Sequence, residues 1–304
     1  MSNNTIKQHY VWREYLRSFC YEKDRIYSLI NRSKIVPNNL TNVAQERYFY
    51  KLHEIDEKEF VYLNGLLNYF IKENNELKEY LQTVLLSFIP TILKKSLKND
   101  AVKKEFEKNI QNDYFERHMT RSESHGKSLI SANSLKEIKK CFSTENRFKT
   151  ILFLSIQLVR TKKQKKKLLN IFLDHEIDFE KIWFYISFMI GNILAWNVIQ
   201  VRKLKVSYIK NKSSLDFITT DQPIINLKRE VDQDGSAKYF KLYFALNPKS
   251  SIILDFEAKE DLFEELNIDE EDFIKKLNNE LIIESHMFIF SQEKENLDFY
   301  INSK

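Results

Sequence analysis

Apolar positions recur at helical spacing in the first part of the chain. The clearest set contains apolar residues three or four positions apart: Phe60, Leu63, Leu67 and Phe70. This spacing places them on one face of a helix, and it predicts a helix from about 56 to 89. Pro90 is expected to bend or interrupt this helix, because proline lacks a backbone N–H and clashes with the preceding turn.

Further helical patterns follow the proline. Residues 93–119 are charged with a thin apolar stripe and predict a peripheral helix, whereas the polar residues 120–134 predict a mobile loop. Residues 135–173 predict more helix, and the strongly apolar residues 179–201 predict a core helix.

The apolar stretch also has the length of a membrane span. Residues 182–201 are 20 positions without a formal charge, which is enough to cross a bilayer. Asn192, Asn197 and Gln200 interrupt the stretch, and basic residues flank both ends, so no orientation is signalled. We therefore expect a buried helix and no membrane partner.

Alternation replaces helical spacing after about residue 202. Strands are predicted where β-forming residues are bounded by turn residues: 203–210, 215–221, 224–229, 239–246 and 251–256. A hairpin turn is predicted at 232–236, a helix at 269–284, and two further strands at 286–292 and 297–302. Near the N-terminus, residues 8–20 predict a short helix or irregular segment, residues 25–31 a strand, and residues 33–42 a loop around Pro37.

Helices and strands are therefore segregated along the chain, which predicts an α+β fold. A helical N-terminal and middle block covers about 40–202, and a mostly antiparallel, β-rich part covers 203–304, with residues 8–31 packing near it. We expect one domain over 1–304. The chain has only four Gly and four Pro, which favours long helices over a fold with many tight turns.

Composition narrows the function classes only slightly. The net charge of +5 permits anionic partners without requiring them. Cys20 and Cys141 have no metal or redox spacing, so we expect inert, buried thiols and a cytoplasmic location. The first residues lack the apolar core of a signal peptide. Nucleotide-loop, zinc-hydrolase and nucleophile-elbow motifs are absent from the sequence, and we predict no metal and no cofactor.

The stretch KQHYVWREYLRSF contains three adjacent hydrogen-bonding residues, Gln8, His9 and Tyr10, which cannot all face a core. His9 is a candidate acid or base near neutral pH. Alternatively, its ring binds a backbone group.

A second candidate lies in SIQLVRT, where Gln157 and Arg160 share a helix face inside an apolar run. An arginine there requires a partner, because an unpaired buried charge is costly. An internal carboxylate is the favoured partner, and a bound phosphate or carboxylate is the alternative. The following basic run, residues 161–167, attracts phosphates or forms a solvated helix face.

A third candidate is FITTDQP, in which Thr220 and Asp221 follow an apolar strand. Asp221 is suited to orient His9 or to bind Arg160, and Thr220 to donate to a phosphate. The alternative is an Asx-type turn closed by Asp221.

These elements together resemble a bacterial family, domain-of-unknown-function family 4238. The opening resembles the family pattern QHYVP-x-x-YL-x-x-F, with Trp12 where proline is usual. Residues 217–223 resemble its ITSD-x-P element, with Thr220 where serine is common. Gln157, Arg160 and Thr161 match a Q-x-x-R-T element, and Leu277 and Asn278 match a late LN pair. The resemblance implies that the opening and the T-D-x-P element occur together.

Three hypotheses follow for one shared polar site. The first is a metal-independent nuclease or nucleotide-acting effector, of a toxin or anti-phage type, with His9, Asp221 and Arg160 as catalytic residues. Its ligand-binding residues are Gln8, Tyr10, Gln157 and Thr220. The second is a non-catalytic binding or sensor module for an anionic ligand or a protein partner. The third is a structural polar network without a ligand.

Overall fold

The computed structural model describes residues 7–50, 53–71, 74–86, 99–171, 176–201, 203–228, 230 and 237–301. The predicted α+β fold is confirmed. The described helices are α1 (Arg13–Arg17), α2 (Glu57–Phe70), α3 (Asn75–Leu86), α4 (Asp100–Ile130), α5 (Leu135–Cys141), α6 (Arg147–Val159), α7 (Lys162–Ile171), α8 (Phe179–Val201), α9 (Glu271–Glu284) and α10 (Glu295–Asp298). The described strands are β1 (Lys7–His9), β2 (Arg25–Ile30), β3 (Lys34–Asn39), β4 (Gln45–Arg47), β5 (Lys203–Asn211), β6 (Thr219–Thr220), β7 (Ile224–Asn226), β8 (Lys241–Asn247), β9 (Ser250–Ala258), β10 (Leu262–Ile268) and β11 (Phe288–Ser291).

Helix α8 is the centre of the helical part. It packs against α6, α7, α2 and α3, and α4 in turn packs against α6. Among the described helices, α8 is the one long and apolar enough to cross a membrane, and 67% of its apolar window is buried inside the protein. Its apolar residues, such as Ile182 and Met189, are fully buried because neighbouring helices surround it.

The strands form two larger sheets and one small one. The five-stranded sheet has the order β10-β5-β9-β8-β7, in which β10 and β5 are parallel and the other pairs are antiparallel. The four-stranded sheet has the antiparallel order β3-β2-β11-β6. Strands β1 and β4 pair separately. The N-terminal strands β2 and β3 therefore belong to the same sheet as the late strand β11.

Tyr15 anchors the N-terminal segment onto both larger sheets. Its hydroxyl lies 2.6 Å from Thr219 Oγ1 in β6 and donates to the Ala245 carbonyl in β8 at 2.9 Å. Its ring stacks on Phe244 with centroids 4.7 Å apart. These contacts hold the preceding Gln8–Tyr10 stretch in a fixed position.

The predicted mobile loop at 120–134 is wrong. Helix α4 continues through residues 120–130 without a break. The buried positions of this part are three or four residues apart, as on one helix face: Met119, Ser122, Gly126, Leu129 and Ile130. Small residues at two of these positions concealed the helical period, because they contribute little apolarity.

Several strand predictions also require correction. The predicted loop at 33–42 is mostly strand β3, which tolerates the exposed Pro37 because it is an edge strand. Three strands lie where the sequence pattern predicts none: β1, β4 and β10. The predicted strand at 297–302 is wrong: it begins in helix α10, whose turn buries Leu297 and Tyr300.

Other helix predictions were correct in type but not in extent. The single helix expected at 56–89 is two helices, α2 and α3, and the helix expected at 135–173 is three, α5 to α7. The expected bend at Pro90 and the expected hairpin turn at 232–236 lie outside the described residues.

Candidate functional site

A groove separates the N-terminal segment from the C-terminal half of α4. It consists of two adjoining cavities of about 460 and 680 Å³. We call it the N-terminal groove. One wall comes from residues 7–18 and the other from residues 119–131. The two cavities share five lining residues: Trp12, Glu14, Arg17, Thr120 and Glu123.

His9 lines the smaller cavity. Its Nε2 donates to the Leu40 carbonyl at 3.1 Å, since a carbonyl oxygen only accepts. This bond places the hydrogen on Nε2 and leaves Nδ1 as an acceptor without a partner among the described residues. Burial lowers the pKa of His9 to about 4, and the charges of Arg13 and Arg160 act in the same direction. His9 is therefore neutral at pH 7.

Gln8 and Tyr10 face different environments. Gln8 lines the groove beside His9, and its side-chain oxygen accepts the Tyr50 N–H at 2.6 Å. Tyr10 is buried in the core, where its ring lies 5.1 Å from that of Phe49. Burial raises the pKa of Tyr10 above its usual range, and the negative charge of Asp221 adds to the effect. Of the three adjacent residues, Tyr10 is the one that does not reach the groove.

Arg160 lies below the groove rather than in it. The residue is 1% exposed, and its Nη2 donates to Glu123 Oε1 at 2.8 Å. The internal carboxylate predicted for Arg160 is thus confirmed. Within the described residues, Arg160 Nε and Gln157 Nε2 have no hydrogen-bond partner, although both atoms are buried. Gln157 is buried in α6 and does not line the groove.

Asp221 and Thr220 have structural roles in this fold. Asp221 accepts the backbone N–H groups of residues 286–288 at 2.8, 2.8 and 3.2 Å. Burial raises the pKa of Asp221, and these three N–H groups oppose the rise. Thr220 Oγ1 accepts the Gln222 N–H and donates to the Gln222 carbonyl, so Thr220 rather than Asp221 closes the local turn.

The predicted catalytic pairing of His9 with Asp221 is therefore wrong as a direct hydrogen bond. The ring of His9 is bound to Leu40, and both Asp221 oxygens are bound to the backbone before β11. Asp221 also does not bind Arg160, whose carboxylate partner is Glu123. The structure brings His9 and Gln8 together in the groove and leaves Thr220, Asp221 and Gln157 behind it.

Two carboxylates, Glu14 and Glu123, line both cavities of the groove, and each forms an ion pair with an arginine. Glu14 pairs with Arg17 across one turn of α1, and Arg17 also donates to Asp24 at 3.0 and 2.9 Å. Glu123 pairs with the buried Arg160. These ion pairs offset the repulsion that free carboxylates would exert on an anionic ligand.

Three cations in the groove have no such compensation. Lys7 and Arg13 line the smaller cavity, and Lys127 lines the larger one. All three are exposed. Within the described parts of the chain, none has an ion pair or a side-chain hydrogen bond. The groove therefore carries an excess of positive charge.

The basic run at 161–167 is largely engaged within the protein. Lys162 pairs with Glu46 at 2.6 Å, and Lys165 pairs with Glu180. Lys163 and Lys167 both pair with Glu284, at 2.8 and 3.6 Å. The run holds α7 against neighbouring segments instead of presenting a free phosphate-binding surface.

Sequence patterns did not identify five residues that line the groove: Lys7, Trp12, Arg13, Glu123 and Lys127. Glu123 and Lys127 lie within residues 120–134, where a loop is predicted. The usable signal was the helical spacing of the small and apolar residues between Met119 and Ile130, which places Glu123 near the buried face. The described residues contain no group of three or more His, Cys, Asp or Glu side chains that could hold a metal ion.

In a comparison with known families, residues 7–295 match the family described as "Protein of unknown function (DUF4238)". The match covers most of the chain and includes both walls of the N-terminal groove. Comparisons with curated proteins and with solved structures find no match.

Proposed function

The chain belongs to the DUF4238 family, and we propose that it is a binding module for a phosphate-bearing ligand, a nucleotide or single-stranded nucleic acid, held in the N-terminal groove. The observation that carries this proposal is the set of uncompensated cations in an open groove: Lys7, Arg13 and Lys127. Phosphate groups are attracted to such a lining because each lysine or arginine that neutralises one also releases a bound counterion.

Trp12 supplies an aromatic surface in the same groove. It lines both cavities, between the cations of the smaller cavity and Lys127 of the larger one. Its ring packs edge-on against Phe153, with centroids 5.8 Å apart, which fixes its orientation. Bases of single strands stack on aromatic side chains beside cationic grooves. This combination favours a nucleotide over a simple inorganic anion.

The state of His9 favours binding over catalysis. With a pKa of about 4, His9 is uncharged at pH 7 and cannot serve as a general acid there. Its Nδ1 lone pair can accept a hydrogen bond from a ligand hydroxyl or amino group. Asp221 does not orient His9 through a hydrogen bond either, because backbone N–H groups bind that carboxylate.

A second candidate function is a metal-independent nuclease of a toxin or anti-phage effector type. The observation that favours it is that neutral His9 and Glu123 line the same cavity. A neutral imidazole is in the correct protonation state to take a proton from an RNA 2′-hydroxyl. Under either function we propose a cytoplasmic location, which the two free thiols, Cys20 and Cys141, support.

Fluorescence anisotropy with a labelled single-stranded oligouridylate tests the binding proposal. The double variant Lys7→Glu/Arg13→Glu is expected to weaken binding about tenfold or more and to reduce its salt dependence, because two phosphate contacts are lost. The matched control, Lys136→Glu/Lys139→Glu, reverses two exposed charges on α5 outside the groove and is expected to bind like wild type. Equally weakened oligouridylate binding in both variants would show that only the net charge of the protein matters, and it would overturn the groove as the binding site.

Electrophoresis of the same RNA in the presence of EDTA separates the two functions. Binding without cleavage supports the binding module. Cleavage by the wild type that His9→Ala abolishes, with unchanged melting temperature, would replace it with the nuclease. Neither binding nor cleavage would overturn both functions and leave the structural network.

A further inference from the structure

A further cavity, of about 330 Å³, lies among helices α3, α4, α6 and α8, outside the N-terminal groove. We call it the bundle pocket. Most of its wall is apolar and includes six apolar residues: Leu77, Phe148, Leu152, Ile156, Phe188 and Trp196. The rings of Phe148 and Trp196 pack edge to face with centroids 6.0 Å apart. A cavity of this size and lining buries the apolar part of a small ligand.

Positive groups of α4 and α6 gather at one side of this pocket. Arg121, His125 and Lys149 line it, together with one carboxylate, Glu76. In the described part of the chain, neither Arg121 nor Lys149 has a side-chain partner. Burial lowers the pKa of His125, and the charges of Lys149 and Arg121 lower it further, which reflects the positive potential at this place.

Ser122 provides an independent indication of a ligand. It also lines the bundle pocket and is 4% exposed, and its hydroxyl has no hydrogen-bond partner among the residues that the structure describes. A buried hydroxyl without a partner loses its hydrogen bonds to water without replacement, which is unfavourable. An acceptor on a bound ligand would restore one of them.

We propose that the bundle pocket binds a single-chain aliphatic carboxylate of the fatty-acid class. The chain occupies the apolar wall, and the carboxylate lies at the cationic side, where it accepts from Ser122 and is neutralised by Arg121 and Lys149. A polar cavity of about 490 Å³ adjoins the pocket and shares His125 and Lys149 with it. The head group therefore reaches water while the chain is buried. This site does not depend on the ligand of the N-terminal groove.

Isothermal titration calorimetry of the full chain with decanoate and with decanol tests the proposal. Decanoate is expected to bind, and decanol about tenfold or more weakly, because the alcohol lacks the charge-assisted hydrogen bonds. Butyrate is expected to show no measurable binding, because its chain buries too little apolar surface. Equal affinity for decanoate and decanol, or no heat from decanoate, would overturn the assignment.

Variants of the lining localise the site. Lys149→Glu and Ser122→Ala are each expected to weaken decanoate binding about tenfold, whereas Lys139→Glu, an exposed charge reversal outside the pocket, leaves it unchanged. Leu152→Trp fills the pocket and is expected to abolish binding; circular dichroism establishes that this variant is folded. Binding that is insensitive to Lys149→Glu and Ser122→Ala would place decanoate elsewhere and overturn the proposal.

Bound decanoate should also change the titration of His125. A carboxylate near the ring favours the imidazolium form, so the pKa of His125 measured by NMR is expected to rise on binding. Decanol lacks the charge and serves as the control. An unchanged His125 titration at saturating decanoate would contradict the predicted position of the carboxylate.

Discussion

The Arg160 guanidinium donates to the Glu123 carboxylate at 2.8 Å, and this ion pair connects the end of α6 to the wall of the N-terminal groove. Arg160 is buried with a side-chain exposure of 1%, whereas Glu123 is 19% exposed toward the groove. The pair therefore joins the core to the surface where we propose that the ligand binds. A second arginine atom, Nη1, lies 3.3 Å from the Met119 sulfur.

Removal of the carboxylate in Glu123→Ala is expected to destabilise the protein. The buried Arg160 charge would lose its partner, at a cost of about 2–4 kcal/mol, somewhat below the range for fully buried pairs because Glu123 is partly exposed. Urea unfolding monitored by circular dichroism measures the change. Glu14→Ala breaks the exposed pair with Arg17 and serves as the control, with an expected loss of about 0–1 kcal/mol. Equal losses in the two variants would show that Arg160 does not depend on Glu123.

Asp221→Asn tests whether this residue is structural or part of the binding site. The Asp221 carboxylate accepts hydrogen bonds from the backbone N–H groups of residues 286–288. Asparagine would place an NH₂ donor against these donors, so we expect the free energy of unfolding to fall by about 2–3 kcal/mol. Chemical denaturation gives the stability, and oligouridylate anisotropy on the folded variant gives the affinity. The affinity should be unchanged, because Asp221 does not line the groove. Normal stability combined with lost affinity would return Asp221 to the site.

The depressed pKa of His9 predicts a pH dependence of stability. The folded-state pKa of about 4 lies below the ordinary histidine pKa of 6.5, so the unfolded chain binds the proton first as the pH falls. The stabilising contribution is fully present above about pH 6.5 and is lost as the pH falls toward 4. Because His9 is partly exposed, we expect a loss of about 2 kcal/mol, which is smaller than the energy that the whole pKa shift would correspond to.

Urea unfolding of the wild type and His9→Asn between pH 7 and pH 4.5 isolates this effect. Carboxylates contribute to the acid sensitivity of both proteins, so the difference between the two is the quantity of interest. We expect the variant to lose less stability than the wild type over this range. A parallel pH dependence of the two proteins would show that His9 titrates normally in the folded state.

Gly126 permits the close approach of α4 to α6. A Cβ at this position would lie 2.5 Å from two ring carbons of Phe153, so Gly126→Ala forces the helices or the ring to move. We expect a destabilisation of about 1–3 kcal/mol, although alanine favours helix over glycine. Gly65 in α2 is the matched control, since its Cβ would meet nothing within 4 Å. Gly65→Ala should stabilise the protein by about 0.5–1 kcal/mol. Thermal melts show whether each variant is more or less stable than the wild type. Stabilisation in both variants would mean that α4 and α6 are not in tight contact.

Local sequence patterns correctly predicted the most deeply buried elements. The apolar run at 179–201 was predicted as a helix and forms α8 with the same bounds. The run at 203–210 was predicted as a strand and forms most of β5. Both are buried on more than one side, so their residues show a strong apolar signal that does not require a knowledge of their neighbours.

Elements with weak apolar signals were mispredicted. The second half of α4 presents Gly126 to α6, and the helices approach closely there because glycine has no side chain, not because the residue is apolar. Strand β10 contains Glu264 and Glu265, which pair with Lys205 and Lys210 on β5. Its strand structure thus depends on a partner more than fifty residues away, which a local pattern does not include.

The sequence by itself determined the α+β class, the central helix and the need of Arg160 for an internal carboxylate. Only the tertiary structure decided that this carboxylate is Glu123, 37 residues earlier in the chain, and that Asp221 binds backbone groups instead of His9. Periodicity reports which face of an element is buried, whereas the groove is formed by segments that chain folding brings together. Which residues line the groove therefore depends on packing between helices and sheets, and no single stretch of sequence specifies that packing.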